Sequence, residues 1–158
     1  MREFSTLKEL KDTHQKEVNE FPFIYVFAFG EKEFVKKMAE EIKKRKPNCT
    51  GITTMEGIAK HIASIGAGAY IFKEDSTAMR EMFERHESER KNFNKTEKNL
   101  VATILYEMNN NEYGYTRDPY DTLQALGKSM KDLETDKKFA RCWAKAQKTV
   151  FDWDNENN

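Results

Sequence analysis

Four carboxylates fall between residues 107 and 121: Glu107, Glu112, Asp118 and Asp121. Acidic side chains gathered this closely are the residue type that general acid/base catalysis or a divalent cation requires. Tyr113, Tyr115 and Tyr120 stand among them with Arg117, and Tyr and Arg are enriched where one protein recognises another. Structural roles compete for the same groups. Asp118, placed before Pro119, can cap a helix, and Asp121 in its first turn is favoured by the helix dipole. Buried tyrosines need hydroxyl partners, and carboxylates resist burial unless paired. The segment is therefore either a tight internal network or a semi-exposed recognition surface. No catalytic residue is assigned. Glu112, Tyr113, Tyr115, Arg117, Asp118, Tyr120 and Asp121 are the candidate binding residues. Tyr115 and Asp121 are expected to be mainly structural, with Tyr113, Arg117 and Tyr120 facing a partner.

Lys43, Lys44, Arg45 and Lys46 form the sharpest charge cluster. They read as a basic helix C-terminus favoured by the dipole, or as a patch that contacts phosphates. Gly66-Ala67-Gly68 lacks the third glycine of a dinucleotide fingerprint and precedes a strand pattern, so a turn or close backbone packing is the better reading. His14, His61 and His86 fall on separate helix patterns without metal-ligand spacing. Cys49 and Cys142 have no CxxC or Cys/His spacing, and Cys142 lies in a helix pattern that implies packing. These features call for no metal and no cofactor.

The elements that must position these groups are mostly helical. Ser5 can cap a helix to about Glu20. Phe21–Phe29 reads as a central strand, apolar on both faces. A helix over 32–45 carries Phe34, Met38 and Ile42 inward and stops at Pro47. Met55–Ser64 reads as a short helix, and Ile65–Phe72 as a second strand entered through Gly66 and Gly68. Helices are expected from Asp75 or Ser76 to about Lys91, and from Glu97 to about Asn109. Pro119 starts a helix closed by Gly127, and Ser129 with Asp132 suggests a capping box. A last helix from Asp136 turns Phe139, Trp143 and Val150 inward. The fold class is α+β: a mainly helical single domain over 1–158 with a small sheet and a polar, frayed tail over 152–158. Phe27, Phe29, Phe34, Met38, Ile71, Phe83, Leu100, Ile104, Leu123, Leu126 and Trp143 are expected in one core.

Composition excludes some classes. Lysine and arginine number 27 against 27 aspartate and glutamate, giving a formal net charge of zero. A general nucleic-acid binder is normally basic and a DNA mimic strongly acidic. Eleven Phe, six Tyr and two Trp supply large side chains for a core. The charged N-terminus has no apolar signal segment, and the longest apolar run is too short to span a bilayer. No membrane association is expected, and the location is cytoplasmic (the host cytoplasm for a phage protein).

Several blocks resemble a family of small accessory proteins carried by phages, prophages and other mobile elements of Firmicutes and gut bacteria. They are Phe27-Ala28-Phe29 with Phe34, Ser64-Ile65-Gly66-Ala67-Gly68 leading to Ile71, and Met82-Phe83 with Arg85-His86. The most specific runs from Tyr106-Glu107 through Asn111–Thr116 and Asp118 to Asp121–Gly127. Most such proteins have a histidine at the place of Asn111 and a third glycine in the turn. Both departures weaken any chemical role for those positions. The resemblance implies a mobile-element context, in which interference with host defence is the commonest non-virion role. Three hypotheses stand. The chain is a counter-defence binding protein, such as an anti-CRISPR that occludes a Cas effector, its partner being a host defence protein or ribonucleoprotein. It is a small enzyme or small-molecule binder that uses the acidic/tyrosine loop. Or it is a nucleic-acid-associated regulator acting through Lys43–Lys46.

Overall fold

Helix-forming stretches punctuated by Thr, Ser, Pro and Gly account for most of the architecture seen in a computed structural model, which describes residues 1–157. The expected α+β class holds: the chain is mainly helical with one three-stranded antiparallel sheet. Contacts divide it into two compact units, residues 15–85 and residues 1–14 with 86–158.

Within residues 15–85, β1 (Ile24–Tyr25), α2 (Glu31–Arg45), α3 (Met55–Ala59), β2 (Ile62–Gly66) and β3 (Ala69–Phe72) build a small α+β layer. Val35, Met38 and Ile42 repeat at helical spacing along α2, and their buried face packs with Ile24, Ile58, Ile62 and Phe72. Strand order is β1-β3-β2, so β1 is an edge. The long central strand expected over Phe21–Phe29 is therefore corrected to two paired residues at the sheet margin. Phe27 and Phe29, expected in the core, are 83% and 87% exposed. Phe83 is also exposed.

The second strand is corrected too. Ile62 pairs with Phe72 and Ser64 with Tyr70, with an irregularity before Gly66–Ala69, so Gly66-Ala67-Gly68 is the turn of a hairpin rather than a strand entrance. All three turn residues have positive φ: 93°, 52° and 75°. Glycine adopts that region without a Cβ penalty, which is why a pair of them reverses the chain here. The residues after Ala59, expected as helix to Ser64, become β2.

In the other unit, α5 (Glu97–Asn110), α6 (Tyr113–Thr116), α7 (Tyr120–Ala125), α8 (Met130–Thr135) and α9 (Lys137–Asn157) enclose Ile104, Met108, Leu123, Phe139, Trp143 and Val150. The sequence punctuation acts as expected. Thr96 Oγ1 accepts from Asn99 N at 3.3 Å to open α5, and Ser129 N donates to Asp132 Oδ2 at 2.8 Å to open α8. Gly127, at φ 67°, closes α7. Cys142 is buried, and burial pushes its thiol pKa up, as packing rather than reactivity requires. Neither cysteine is in a disulfide. Helix α9 continues through Asn157, over most of the expected frayed tail; Asn158 lies outside the described residues. Two helices contribute to both units: α1 (Leu7–Glu20) and α4 (Ser76–Phe93). Among the described residues no helix is long and apolar enough to cross a membrane.

Candidate functional site

Residues 111–121 form a sequence of short capped turns. Asn111 follows α5, and its Nδ2 donates to Glu107 O at 2.8 Å. Glu112 then adopts the left-handed region (φ 54°, ψ 33°), one helical turn follows as α6, and Arg117 is left-handed again (φ 54°, ψ 16°). Asp118 N donates to Thr116 Oγ1 at 3.1 Å, and Asp118 Oδ1 accepts from Tyr120 N at 3.0 Å, opening α7. The expected capping role of Asp118 is seen. A non-glycine residue in the left-handed region costs about 1–2 kcal/mol, and such strain clusters at functional sites. Two such residues bracket one turn.

Those two reversals decide which tyrosine is buried. Tyr113 points into the core, with ring centroids 5.4 Å from Trp143 and 5.7 Å from Phe151. Its hydroxyl donates to Gln147 Oε1 at 2.9 Å, and burial pushes its pKa up. Arg117 lies over the Phe151 ring at 4.1 Å. Tyr115 is 92% exposed and Tyr120 is 65% exposed. This corrects the expected division of labour. Tyr113, proposed as partner-facing, is a core residue, whereas Tyr115, proposed as structural, faces out. Asp121 is exposed in the first turn of α7 rather than part of a buried network.

Tyr115 stands at a groove of ≈ 520 Å³ formed by α5, α6 and α9. Leu105, Met108 and Val150 line its apolar part, and Glu112 and Asn109 are polar members of the lining. Trp153, 63% exposed, lines it as well. A concave apolar surface with a few polar groups, bearing an exposed Tyr and Trp, has the composition of a binding site. Sequence inspection located Glu112 and Tyr115 but missed Trp153, which was assigned to the polar tail.

The basic cluster is largely occupied within its own unit. Lys44 pairs with Glu41 at 2.9 Å. Arg45 reaches Asp75 at 2.9 Å and Glu74 at 3.3 Å, and Lys46 reaches Glu74 at 3.4 Å. Arg45 also covers the Phe72 ring at 4.3 Å. Lys43 is exposed on the last turn of α2.

A second polar cluster was not anticipated. Glu89 on α4 is buried, and it accepts from Arg2 Nε and Nη2, each at 3.0 Å, and from His14 Nε2 at 2.7 Å. His86 stacks on His14 with centroids 3.9 Å apart and an interplanar angle of 13°. Burial opposes the Glu89 charge, but the Arg2 and His14 hydrogen bonds outweigh it and hold the pKa at about 2. Burial lowers the His14 pKa despite Glu89, with His86 acting in the same direction. The available signal was the placement of His14 and His86 at apolar helix positions. Arg2, far away in sequence, left none. Among the described residues, no group of three or more His, Cys, Asp or Glu is arranged to hold a metal ion.

The profile of a family of unknown function (DUF7659) matches residues 6–149, and the chain belongs to that family. No curated protein and no solved structure matches it.

Proposed function

We propose that this member of a family of unknown function is a binding protein that captures a protein partner in the groove of α5, α6 and α9. One observation carries the proposal: two left-handed residues, Glu112 and Arg117, bury Tyr113 and leave Tyr115 92% exposed at an apolar groove. The same reversals that seat Tyr113 in the core hold Tyr115 outward, and preorganised aromatic side chains lose little entropy when a partner docks. The chemistry favours an apolar segment of the partner flanked by cationic residues, because Glu112, Asp118 and Asp121 are exposed around the turn.

The finer setting is counter-defence, with a Cas effector or another host defence protein or ribonucleoprotein as partner in the host cytoplasm. It is supported by the resemblance to mobile-element accessory proteins. The most specific block of that resemblance, Tyr106–Gly127, contains Glu112, Gly114 and Tyr115 of the groove. The nucleic-acid route draws less support, because Lys44, Arg45 and Lys46 already hold carboxylates.

Affinity capture from a host extract, followed by rebinding of the identified, purified partner, tests this function. Tyr115→Ala should weaken rebinding by tenfold or more, in the range of an interface hot spot, while leaving the melting temperature unchanged. Tyr113→Phe should do the reverse, with binding retained and stability lowered by about 1 kcal/mol through the lost hydrogen bond to Gln147 Oε1, which keeps Trp143 Nε1 as its donor. Equal rebinding by wild type and Tyr115→Ala would remove the groove from the function.

A further inference from the structure

Between Phe21 and Phe29, every second residue is aromatic: Phe21, Phe23, Tyr25, Phe27 and Phe29. In an extended chain, residues two apart share a face. Here the opposite set turns inward, with Ile24 buried and Val26 and Ala28 half-buried. The aromatic set becomes steadily more exposed along the chain, reaching 72% at Tyr25, 83% at Phe27 and 87% at Phe29. The rings touch in two groups. Phe23 lies 6.4 Å from Tyr25 and 6.4 Å from Phe83, and Phe27 lies 6.3 Å from Phe29. Single exposed apolar residues are ordinary, but a contiguous aromatic strip on an edge marks an interaction surface.

The strip is held in place for presentation. Lys37 Nζ donates to Phe27 O at 2.5 Å, Phe29 N donates to Glu33 Oε2 at 2.8 Å, and Lys37 and Glu33 pair at 2.9 Å. The backbone beyond β1 is thereby tied to α2, and Phe27 O and Phe29 N are engaged. A partner strand cannot pair through those two groups. What remains available is the face of rings.

We propose that this face is covered by a second copy of the chain, in a two-fold symmetric dimer built on Tyr25, Phe27 and Phe29. Three observations select that occupant. An aromatic repeat of period two is its own complement under a two-fold axis, as an isologous interface requires. With the axis at Phe27, Phe27 meets its symmetry mate and Tyr25 meets Phe29 of the other copy. The area reaches the low end of what a dimer needs: three largely exposed aromatic residues, covered completely, give about 500 Å² per copy, or about 1,000 Å² in the pair, the size of a weak, transient interface. Charge does not oppose like-to-like contact, since Glu33 and Lys37 beside the strip neutralise each other and the whole chain has a formal net charge of zero. The interface is small and apolar, so the dimer forms and dissociates with concentration.

Sedimentation velocity over a concentration series tests the proposal. The full chain should pass from monomer to dimer across the micromolar range, and Phe27→Ser with Phe29→Ser should stay monomeric with unchanged circular dichroism and melting at low concentration. Tyr115→Ala, on the groove, should dimerise as wild type does, so failure here and failure of the groove reading are separable. In a second measurement, Phe27→Cys in a Cys49→Ser background should give a disulfide-linked dimer under mild oxidation. A wild-type chain that stays monomeric throughout, or a serine variant that dimerises equally, would overturn the proposal and leave the strip to a different partner or to none.

Discussion

Glu89 shows how a single charged group can be kept inside a helical unit. An unpaired buried carboxylate would become neutral, but Arg2 and His14 supply enough donors to hold the Glu89 pKa at about 2. The sign of the pH dependence follows. Glu89 is more acidic in the fold than in the unfolded chain, so its contribution is complete above pH 4.5 and is lost as pH falls toward 2. The His14 pKa is also lowered, so the fold favours neutral imidazole and loses stability as pH falls below 6.5. Both effects act in one direction, and acidification should lower the melting temperature in two stages. The Glu89 stage corresponds to about 3 kcal/mol at neutral pH. Thermal melts from pH 7 to pH 3 should show that Glu89→Gln is less stable than wild type at pH 7 and has a much flatter acid limb. An unchanged acid limb in Glu89→Gln would show that other carboxylates control it. Tyr113 and Tyr115 illustrate what composition cannot supply. The sequence suggests the opposite assignment of these two tyrosines, and only the backbone at Glu112 and Arg117 separates core from surface.

Elements closed by local chemistry were legible. Thr96, Pro119, Gly127 and the Ser129/Asp132 pair act within a few residues of themselves, so the ends of α5, α7 and α8 could be read to within a residue or two. Elements that depend on distant partners were not. Phe21–Phe29 has the composition of a buried strand, and its exposure arises from pairing on one side only and from the hold of α2 on Phe27 and Phe29. The glycines read correctly as a turn, but the strand bounds around them did not, because two strands meeting at a reversal look like one apolar run with an interruption. Positive φ at Ala67 and Glu112 gives a test at this scale. Ala67→Gly should raise stability by about 0.5–1 kcal/mol, since glycine relieves the left-handed strain at some cost in unfolded-state entropy. Glu112→Gly should raise it by a similar amount, yet weaken partner capture, because the same change loosens the turn that aims Tyr115. If Glu112→Gly leaves capture intact, that backbone conformation is not needed for recognition.

Across the whole chain, balanced charge leaves no strong general field for nucleic acid. The proposed recognition therefore rests on shaped local surfaces. The fold class was readable from periodicity and punctuation, because helical spacing survives even where strand boundaries are misplaced. About half of the candidate site was readable as well. Glu112, Tyr115 and Tyr120 stood out by composition, whereas Trp153 reaches the groove only through the continuation of α9 past residue 151. Photo-crosslinking tests the central claim most directly. With p-benzoylphenylalanine introduced at position 115, irradiation in the host extract should yield a discrete adduct whose partner is also captured by the wild type. The same probe at exposed Lys60 should give none. An adduct at Lys60 but not at position 115, or none at either while the wild type still captures its partner, would contradict recognition through the groove.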